Sequence, residues 1–205
     1  MKTVLPIVTK LFAAAALLVL SGCAAESRPS SLTVPLEMHP SRSEVGQLSV
    51  PGPALKVYIE AVDDNRPNKT QIGENREEQY AVPIYAGRQS PAEWLHDSVQ
   101  TELRGAGMNI VSDPTQANRR VRLTLTSFWA EETPTYTARI TANAEVRDAT
   151  GKSLWQGVIH GEDGTIGQSL NVETYQHVLS NAVIGCSRQL VASPGFGQSV
   201  AGTSD

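Results

Sequence analysis

The fold is decided by one stretch of the sequence, "RRVRLTLTSFWAEETPTYTARITANAEVRDATGKSLWQGVIHG" (residues 119–161). Its middle part alternates most regularly: one face carries Tyr136, Ala138, Ile140, Ala142, Ala144 and Val146, and the other carries Thr137, Arg139, Thr141, Asn143, Glu145 and Arg147. A period of two predicts antiparallel strands with one buried and one solvated face. Asp148-Ala149-Thr150-Gly151 predicts a hairpin turn into a strand from Ser153 to His160.

Two amphipathic helices are predicted outside this stretch. Ser90 is placed to cap the first, and Glu93 completes a capping box three residues later. The second starts after Asn171, carries an apolar stripe, and stops at Pro194-Gly195. The apolar side of each helix must be buried on the single apolar face of the sheet. The sequence therefore predicts an α+β fold, a two-layer sandwich of a mostly antiparallel sheet with two helices packed on one face.

Shorter patterns predict the remaining elements. "ALKVYIEAV" (residues 54–62) reads as a half-buried strand, and residues 108–111 as the start of another. The run from Tyr80 to Tyr85 contains Pro83, which predicts an edge strand or a loop. "VDDNRPNKTQIGEN" (residues 62–75) predicts a polar turn in which Arg66 pairs with an acid. A cation site there is less favoured, because hard cations take six or more oxygen ligands.

The N-terminus has the layout of a secretory signal. A short basic segment precedes an apolar run from Leu11 to Leu20, and Leu20-Ser21-Gly22-Cys23 follows. This ending resembles the bacterial lipobox, in which diacylglycerol is attached to the thiol and a fatty acid such as palmitate to the freed amine. Two or more acyl chains anchor a protein stably. Ala24 after the cysteine points to the outer membrane, with the domain facing the periplasm.

Composition then divides the chain into four parts. Residues 1–22 are the signal peptide that is removed, and residues 23–53 are the lipidated cysteine with a flexible Pro/Ser-rich tether. Residues 54–192 form a single periplasmic α+β domain. Residues 193–205 have the composition of a disordered tail.

Charge and cysteine content exclude some classes of function. The formal charge of −4 becomes −6 once Lys2 and Lys10 leave with the signal. An acidic chain gives no electrostatic reason to expect that the protein binds nucleic acid.

With Cys23 lipidated, Cys186 has no disulfide partner within the chain. Its position on an apolar helical stripe predicts a small buried residue, and a reactive thiol or an intermolecular disulfide is the alternative.

No motif predicts a cofactor, a metal ion or a catalytic site. The histidines are widely separated and lack metal-ligand spacing. "GEDGTIG" (residues 161–167) lacks the lysine of a phosphate loop and predicts a flexible connection. The protein is therefore expected not to be an enzyme. The alternative is a periplasmic hydrolase or carbohydrate-processing enzyme, which would need its carboxyl groups about 5 to 10 Å apart; the acids available are Asp63, Asp64, Glu162 and Asp163.

The polar face of the sheet supplies the candidate binding residues. Arginines recur on it among threonines, with an aromatic residue between them: Arg120, Arg122, Arg139, Arg147 and Phe128. The hypothesis is a docking surface for an envelope protein or an anionic glycan. The alternative is an ordinary solvated face.

The order of these features resembles the YajG-like family of outer-membrane lipoproteins. The resemblance rests on Asp63 or Asp64 with Arg66-Pro67, on the transition from Gly105 to Val111, and on "DPTQANRRVRLTLTSFWAE" followed by the long hairpin. It implies an anchored two-layer domain without a catalytic set, and Cys23 as the one residue whose role carries over. We therefore expect a non-enzymatic envelope lipoprotein that binds or localises a partner, or assists envelope transport or assembly.

Overall fold

The computed structural model of the protein describes residues 29–38, 55–77 and 80–201. The strands are β1 (Leu32–Val34), β2 (Lys56–Ile59), β3 (Asp63–Asp64), β4 (Gln71–Asn75), β5 (Val82–Ala86), β6 (Asn109–Ile110), β7 (Arg119–Glu132), β8 (Tyr136–Asp148) and β9 (Ser153–Thr165). The helices are α1 (Pro91–Gly105), α2 (Val172–Ala192) and α3 (Phe196–Ala201), with a 3-10 turn at Pro114–Gln116. The predicted α+β class is confirmed.

The alternating stretch forms the three long antiparallel strands β7, β8 and β9. Every second side chain of β8 from Tyr136 to Val146 is buried, as the period of two predicts. β8 pairs along its length with β7 on one side and with β9 on the other. This three-stranded unit carries most of the apolar layer on which the helices pack.

A β-bulge in β7 changes which residues face the core. Leu125 pairs with Ala142, but the next matched pair is Ser127 with Thr141, so one extra residue lies in β7. A bulge of this kind reverses the side-chain alternation beyond it. Phe128 is therefore 2% exposed and packs edge-to-face against the ring of Trp94. The prediction that Phe128 lies on the polar face is wrong.

The other edge of β7 pairs with three short strands in succession. β2, β3 and β4 all run parallel to it, so the sheet is mixed. The predicted polar turn contains both β3 and β4, with the turn itself between them. A Cβ atom at Gly73 in β4 would collide with the backbone carbonyl of Ala130, so glycine is required where β4 approaches β7.

β5 is an interior strand, not an edge strand or a loop. It lies between β4 and β1 in the sheet. β1 starts to pair at Ile84 and leaves Pro83 without a ladder partner on that side. The missing amide hydrogen of Pro83 is therefore tolerated.

The ordered domain extends beyond both predicted boundaries. β1 lies within the predicted tether, and Val34 and Leu36 are buried in the core. At the other end, the predicted tail contains α3, whose Phe196 packs edge-to-face on Trp155. Val34 and Leu36 in the Pro/Ser-rich segment and Phe196 in the Gly/Ser-rich segment are buried in the domain core. The prediction is wrong for these residues, and the signal, Cys23 and residues 39–54 lie outside the described part of the chain.

Both helices begin where predicted. Ser90 and Glu93 form the capping box of α1, and the Asn171 side chain accepts from the Thr174 amide at the start of α2.

α2 packs so closely on β9 that a Cβ atom at Gly161 would collide with the Ala182 carbonyl. Residues 161–165 thus belong to β9 and are not a flexible connection. In the described residues, none of the helices is long and apolar enough to cross a membrane.

Candidate partner-binding face

The outward-facing side chains of β7, β8 and β9 form what we call the open face. The helices lie on the opposite side of these strands, and the side chains of the open face are half-buried or exposed. It consists of Arg120, Arg122, Thr124, Ser127, Trp129 and Glu131 from β7, Thr137, Arg139, Thr141, Asn143, Glu145 and Arg147 from β8, and Gln156, Val158, His160 and Glu162 from β9. Four of the five predicted binding residues lie on it.

Two of the predicted arginines pair with acids from neighbouring strands. Arg122 donates to the carboxylate of Asp63, the first residue of β3, with an Nη2 to Oδ2 distance of 2.6 Å. Arg139 lies 2.9 Å from the carboxylate of Glu162 across the β8–β9 ladder. Hydrogen bonding to Glu162 raises the pKa of the Arg139 guanidinium. Both guanidinium groups are therefore neutralised within the chain.

The other two predicted arginines are cross-strand neighbours. Arg147 donates to Glu145 over 2.6 Å. This hydrogen bond is the main reason why the pKa of Glu145 falls to about 2. Arg120 faces Arg147 in the ladder, and its Nη2 donates weakly to the Pro114 carbonyl. Acidic side chains are thus paired with Arg122, Arg139 and Arg147 on the open face, while Arg120 and Arg147 face each other directly.

A shallow depression marks the middle of the open face. Its volume is about 430 Å³, and its lining includes Arg122, Asn143, Glu145, Gln156 and Val158. Val158 is 59% exposed, although the residues around it are polar. Single exposed aliphatic side chains are common on protein surfaces, and this one is surrounded by hydrogen-bonding groups.

The polar stretch from Asp63 to Asn75 contains a closed ion pair between Arg66 and Asp64. Arg66 is 5% exposed and donates through Nε and Nη2 to both oxygens of Asp64. Its Nη2 also donates to the Lys69 carbonyl, and its guanidinium lies 5.8 Å from the ring centroid of Phe128. Burial acts to raise the pKa of Asp64, but the hydrogen bonds from Arg66 outweigh it and lower that pKa. The predicted pairing of Arg66 with an acid is confirmed.

The four acids of the enzymatic alternative do not share a pocket. Asp63 binds Arg122, Asp64 binds Arg66, and Glu162 binds Arg139. Asp163 lies on the helix side of the sheet, where its carboxylate accepts from the amide of Asn181. Within the described residues, no group of three His, Cys, Asp or Glu side chains is arranged to hold a metal ion.

Cys186 is buried and free, as its place on the helical stripe predicts. Its thiol donates to the Ile140 carbonyl over 3.5 Å, and burial raises its pKa to about 12. Cys23, the predicted lipidation site, lies outside the described residues.

Sequence reasoning missed a buried cluster at the end of β7. Glu132 is 1% exposed, and its carboxylate accepts from the Tyr175 hydroxyl and from the Leu170 amide. The Tyr136 hydroxyl donates to the Gln168 carbonyl and accepts from the Asn171 amide. Burial raises the pKa of Tyr136 to about 12. The signal in the sequence is the change of phase in the apolar residues of β7 after Leu125: Phe128 and Ala130 lie in the same phase as Glu132.

This α+β fold is shared with a solved structure of undefined function. Protein XCC0632 from Xanthomonas campestris, of the family DUF330, is similar with a TM-score of 0.56 and 12% identity, over 82% of this chain and 95% of that one. A minor lipoprotein from Acinetobacter baumannii has a TM-score of 0.37 and 14% identity, over 69% of this chain and 94% of that one.

Lipoprotein GNA1162 from Neisseria meningitidis is less similar, with a TM-score of 0.29 and 15% identity, over 59% of this chain and 90% of that one. No protein-family model and no curated protein matches the chain. The similarity to XCC0632 shows the fold, and the resemblance to the YajG-like family stays a prediction.

Proposed function

We propose that this protein is a lipid-anchored lipoprotein of the bacterial envelope, related to the YajG-like family. The observation that carries the proposal is the sequence Leu20-Ser21-Gly22-Cys23 at the end of an apolar segment. The acylated Cys23 holds the protein in the outer membrane, and the domain faces the periplasm. Its role is to bind and localise an envelope partner, not to catalyse a reaction.

The open face is the proposed docking surface, and its chemistry favours a protein over an anionic glycan. Arg122 and Arg139 are already neutralised by Asp63 and Glu162, so a polyanion would have to compete with both ion pairs. A protein partner can instead cover Val158 and exchange hydrogen bonds with the polar groups around it. Interfaces of this kind combine an apolar centre with a polar rim.

The positions of the acids support a non-enzymatic role. A glycosidase needs two carboxyl groups about 5 to 10 Å apart that face the same substrate bond. Here Glu162 and Asp163 point to opposite sides of β9, and each has its own hydrogen-bonding partner.

The anchor is tested by Cys23→Ser in intact cells. The variant should move from the membrane fraction to the soluble periplasmic fraction and should no longer incorporate labelled palmitate. Cys186→Ser is the matched control, because it removes the other thiol and should leave both readouts unchanged. A Cys23→Ser protein that still sediments with membranes would refute lipidation as the cause of attachment.

The docking surface is tested by photo-crosslinking in cells with a photoreactive amino acid at position 158. We expect one specific adduct, and we expect it to disappear when Arg122 and Asp63 are both replaced by Ala. Position 149, in the exposed hairpin turn between β8 and β9, is the control and should give no adduct. Equal adducts from both positions would count against a defined face.

A further inference from the structure

One end of the sheet collects the ends of six strands, and we call it the near end. The pairings form a continuous row: Thr165 with Tyr136, Tyr136 with Glu132, Glu132 with Asn75, and Asn75 with Val82. β1 joins the row two residues further along β5, where Leu32 pairs with Ile84. With strands spaced at about 4.8 Å, this row is about 24 Å wide.

The chain from the lipidation site enters the fold at the near end. Leu32 lies nine positions after Cys23 in the sequence. Nine residues span at most about 30 Å when fully extended and about 17 Å as a flexible chain. The sheet is longer than this, because the 13 residues of β8 extend over about 40 Å. The membrane is therefore close to the near end and far from the opposite end.

The near end also carries the two most exposed large apolar side chains of the described residues. Ile166 follows the last residue of β9 and is 80% exposed, and Tyr80 lies two residues before β5 and is 77% exposed. Four strand spacings separate β9 from β5, so the strands next to these two residues lie about 19 Å apart across the row. Two such points and the start of β1 beside β5 define a plane.

Ile166 is held in an ordered loop. The carboxylate of Glu132 accepts from the amide of Leu170, whose φ of 56° is unusual for a residue other than glycine. The hydroxyl of Tyr136 binds the carbonyl of Gln168 and the amide of Asn171. These buried groups attach the loop to the end of β7 and the start of β8, so the loop that carries Ile166 is ordered.

We propose that the near end of the sheet rests on the lipid bilayer, with Ile166 and Tyr80 in the interfacial region. Aliphatic side chains gain by leaving water there, and tyrosine is enriched at membrane interfaces. Contact at this end leaves the open face perpendicular to the membrane and accessible to a partner. The inference rests on the proposed anchoring at Cys23.

The contact is apolar and not electrostatic. Arg76 just beyond β4 is paired with Glu74 and Glu131, and the acids Glu77 and Glu173 lie near this end, so anionic lipids would not attract it. Zwitterionic phosphatidylcholine vesicles are therefore the appropriate probe.

The test uses the full lipidated protein in phosphatidylcholine vesicles, with one nitroxide label at a time. Ile166→Cys and Tyr80→Cys probe the near end, Val158→Cys the open face and Ala149→Cys the far hairpin. Each label's relaxation by oxygen is compared with its relaxation by a water-soluble nickel complex. We expect an oxygen-to-nickel ratio severalfold higher for positions 166 and 80 than for positions 158 and 149.

Each outcome decides the proposal. Water-like ratios at 166 or 80 would overturn the bilayer contact, and a lipid-like ratio at 149 would overturn the orientation. Failure of the unlabelled wild-type protein to stay with the vesicles would count against the anchor and this contact together. Retention with all four labels in water would count against the contact alone.

Discussion

The carboxylate of Glu132 and the hydroxyl of Tyr175 lie 2.8 Å apart in the interior and join the end of β7 to α2. The same carboxylate accepts from the Leu170 amide, and among the described residues its hydrogen-bonding partners are neutral groups. A buried carboxylate is expensive unless it is fully hydrogen-bonded. These contacts therefore fasten the loop before α2 and close the near end of the sheet.

Replacing Glu132 with Ala should destabilise the protein by about 3 kcal/mol, because a buried amide and a buried hydroxyl lose their acceptor. Urea denaturation followed by circular dichroism measures the change. Glu131→Ala is the matched control on the open face and should cost about 0.5 kcal/mol, as surface substitutions usually do. Equal losses for the two variants would contradict the role given to the buried carboxylate.

Gly161 is predicted to tolerate no side chain. The Cβ atom of Gly161→Ala would meet the Ala182 carbonyl and the Cys186 amide, which are backbone atoms of α2 that cannot rotate away. We expect a loss of about 3 kcal/mol in the free energy of unfolding, as in severe overpacking. Gly105→Ala at the end of α1 has open space around its Cβ and should be neutral or slightly stabilising. Wild-type stability of Gly161→Ala would show that α2 can shift away from β9.

The sequence predicts the long strands well and the short ones poorly. A period of two repeated over 13 residues in β8 leaves one assignment of buried face. β3 has two residues and β1 has three, so neither can display a period. They are ordered by pairing with β7 and β5, which are distant in sequence. Pairing with β5 orders β1 within the predicted tether, and packing of Phe196 on Trp155 orders part of the predicted tail. Both predictions were therefore too long.

The candidate site was predicted in position but not in chemistry. Alternation places Arg122 and Arg139 on the solvated face, and the structure confirms that they lie there. Their partners, Asp63 and Glu162, are 59 and 23 residues away. No local pattern connects such residues, so the sequence shows the arginines of this face but not the acids that pair with Arg122 and Arg139 in the fold. The bulge in β7 has a similar effect, since a single extra residue moves Phe128 from one face to the other.

Glu145 should make the stability of the protein depend on pH on the acid side. Its pKa is 4.5 in an unstructured chain and about 2 in the fold. The stabilisation is therefore present above pH 4.5 and is lost as the pH falls towards 2. Because the pair with Arg147 is partly solvated, we expect the loss to be about 0.5 to 1 kcal/mol. Denaturation curves at pH 6 and pH 2.5 give the value.

Glu145→Gln should lose less stability than the wild type between these two pH values. Arg147→Gln should behave in the same way, because it removes the hydrogen bond that contributes most to the low pKa. The comparison is internal to each variant, so any constant cost of the substitution cancels. An unchanged pH dependence in both variants would mean that another carboxyl group is responsible.

Cys186 should be inert in the folded protein. The Cys23→Ser variant has this cysteine as its single thiol. Because Cys186 is completely buried and its pKa is raised to about 12, iodoacetamide should not alkylate it at pH 8. Mass spectrometry should detect one added group only above the urea concentration that unfolds the domain. Rapid alkylation in native buffer would contradict the buried position.

The same thiol should weaken the fold at alkaline pH. Its pKa is 9.0 in an unstructured chain, so below pH 9 the thiol is protonated in both states and contributes no pH dependence. Above pH 9 the unfolded chain releases the proton and the folded chain does not, which favours unfolding by up to about 1.4 kcal/mol per pH unit. Tyr136, whose ordinary pKa is 10.0, adds to this only at higher pH. Between pH 9 and pH 10, Cys186→Ala should therefore lose less stability than a protein that keeps the thiol, and equal slopes would refute the assignment.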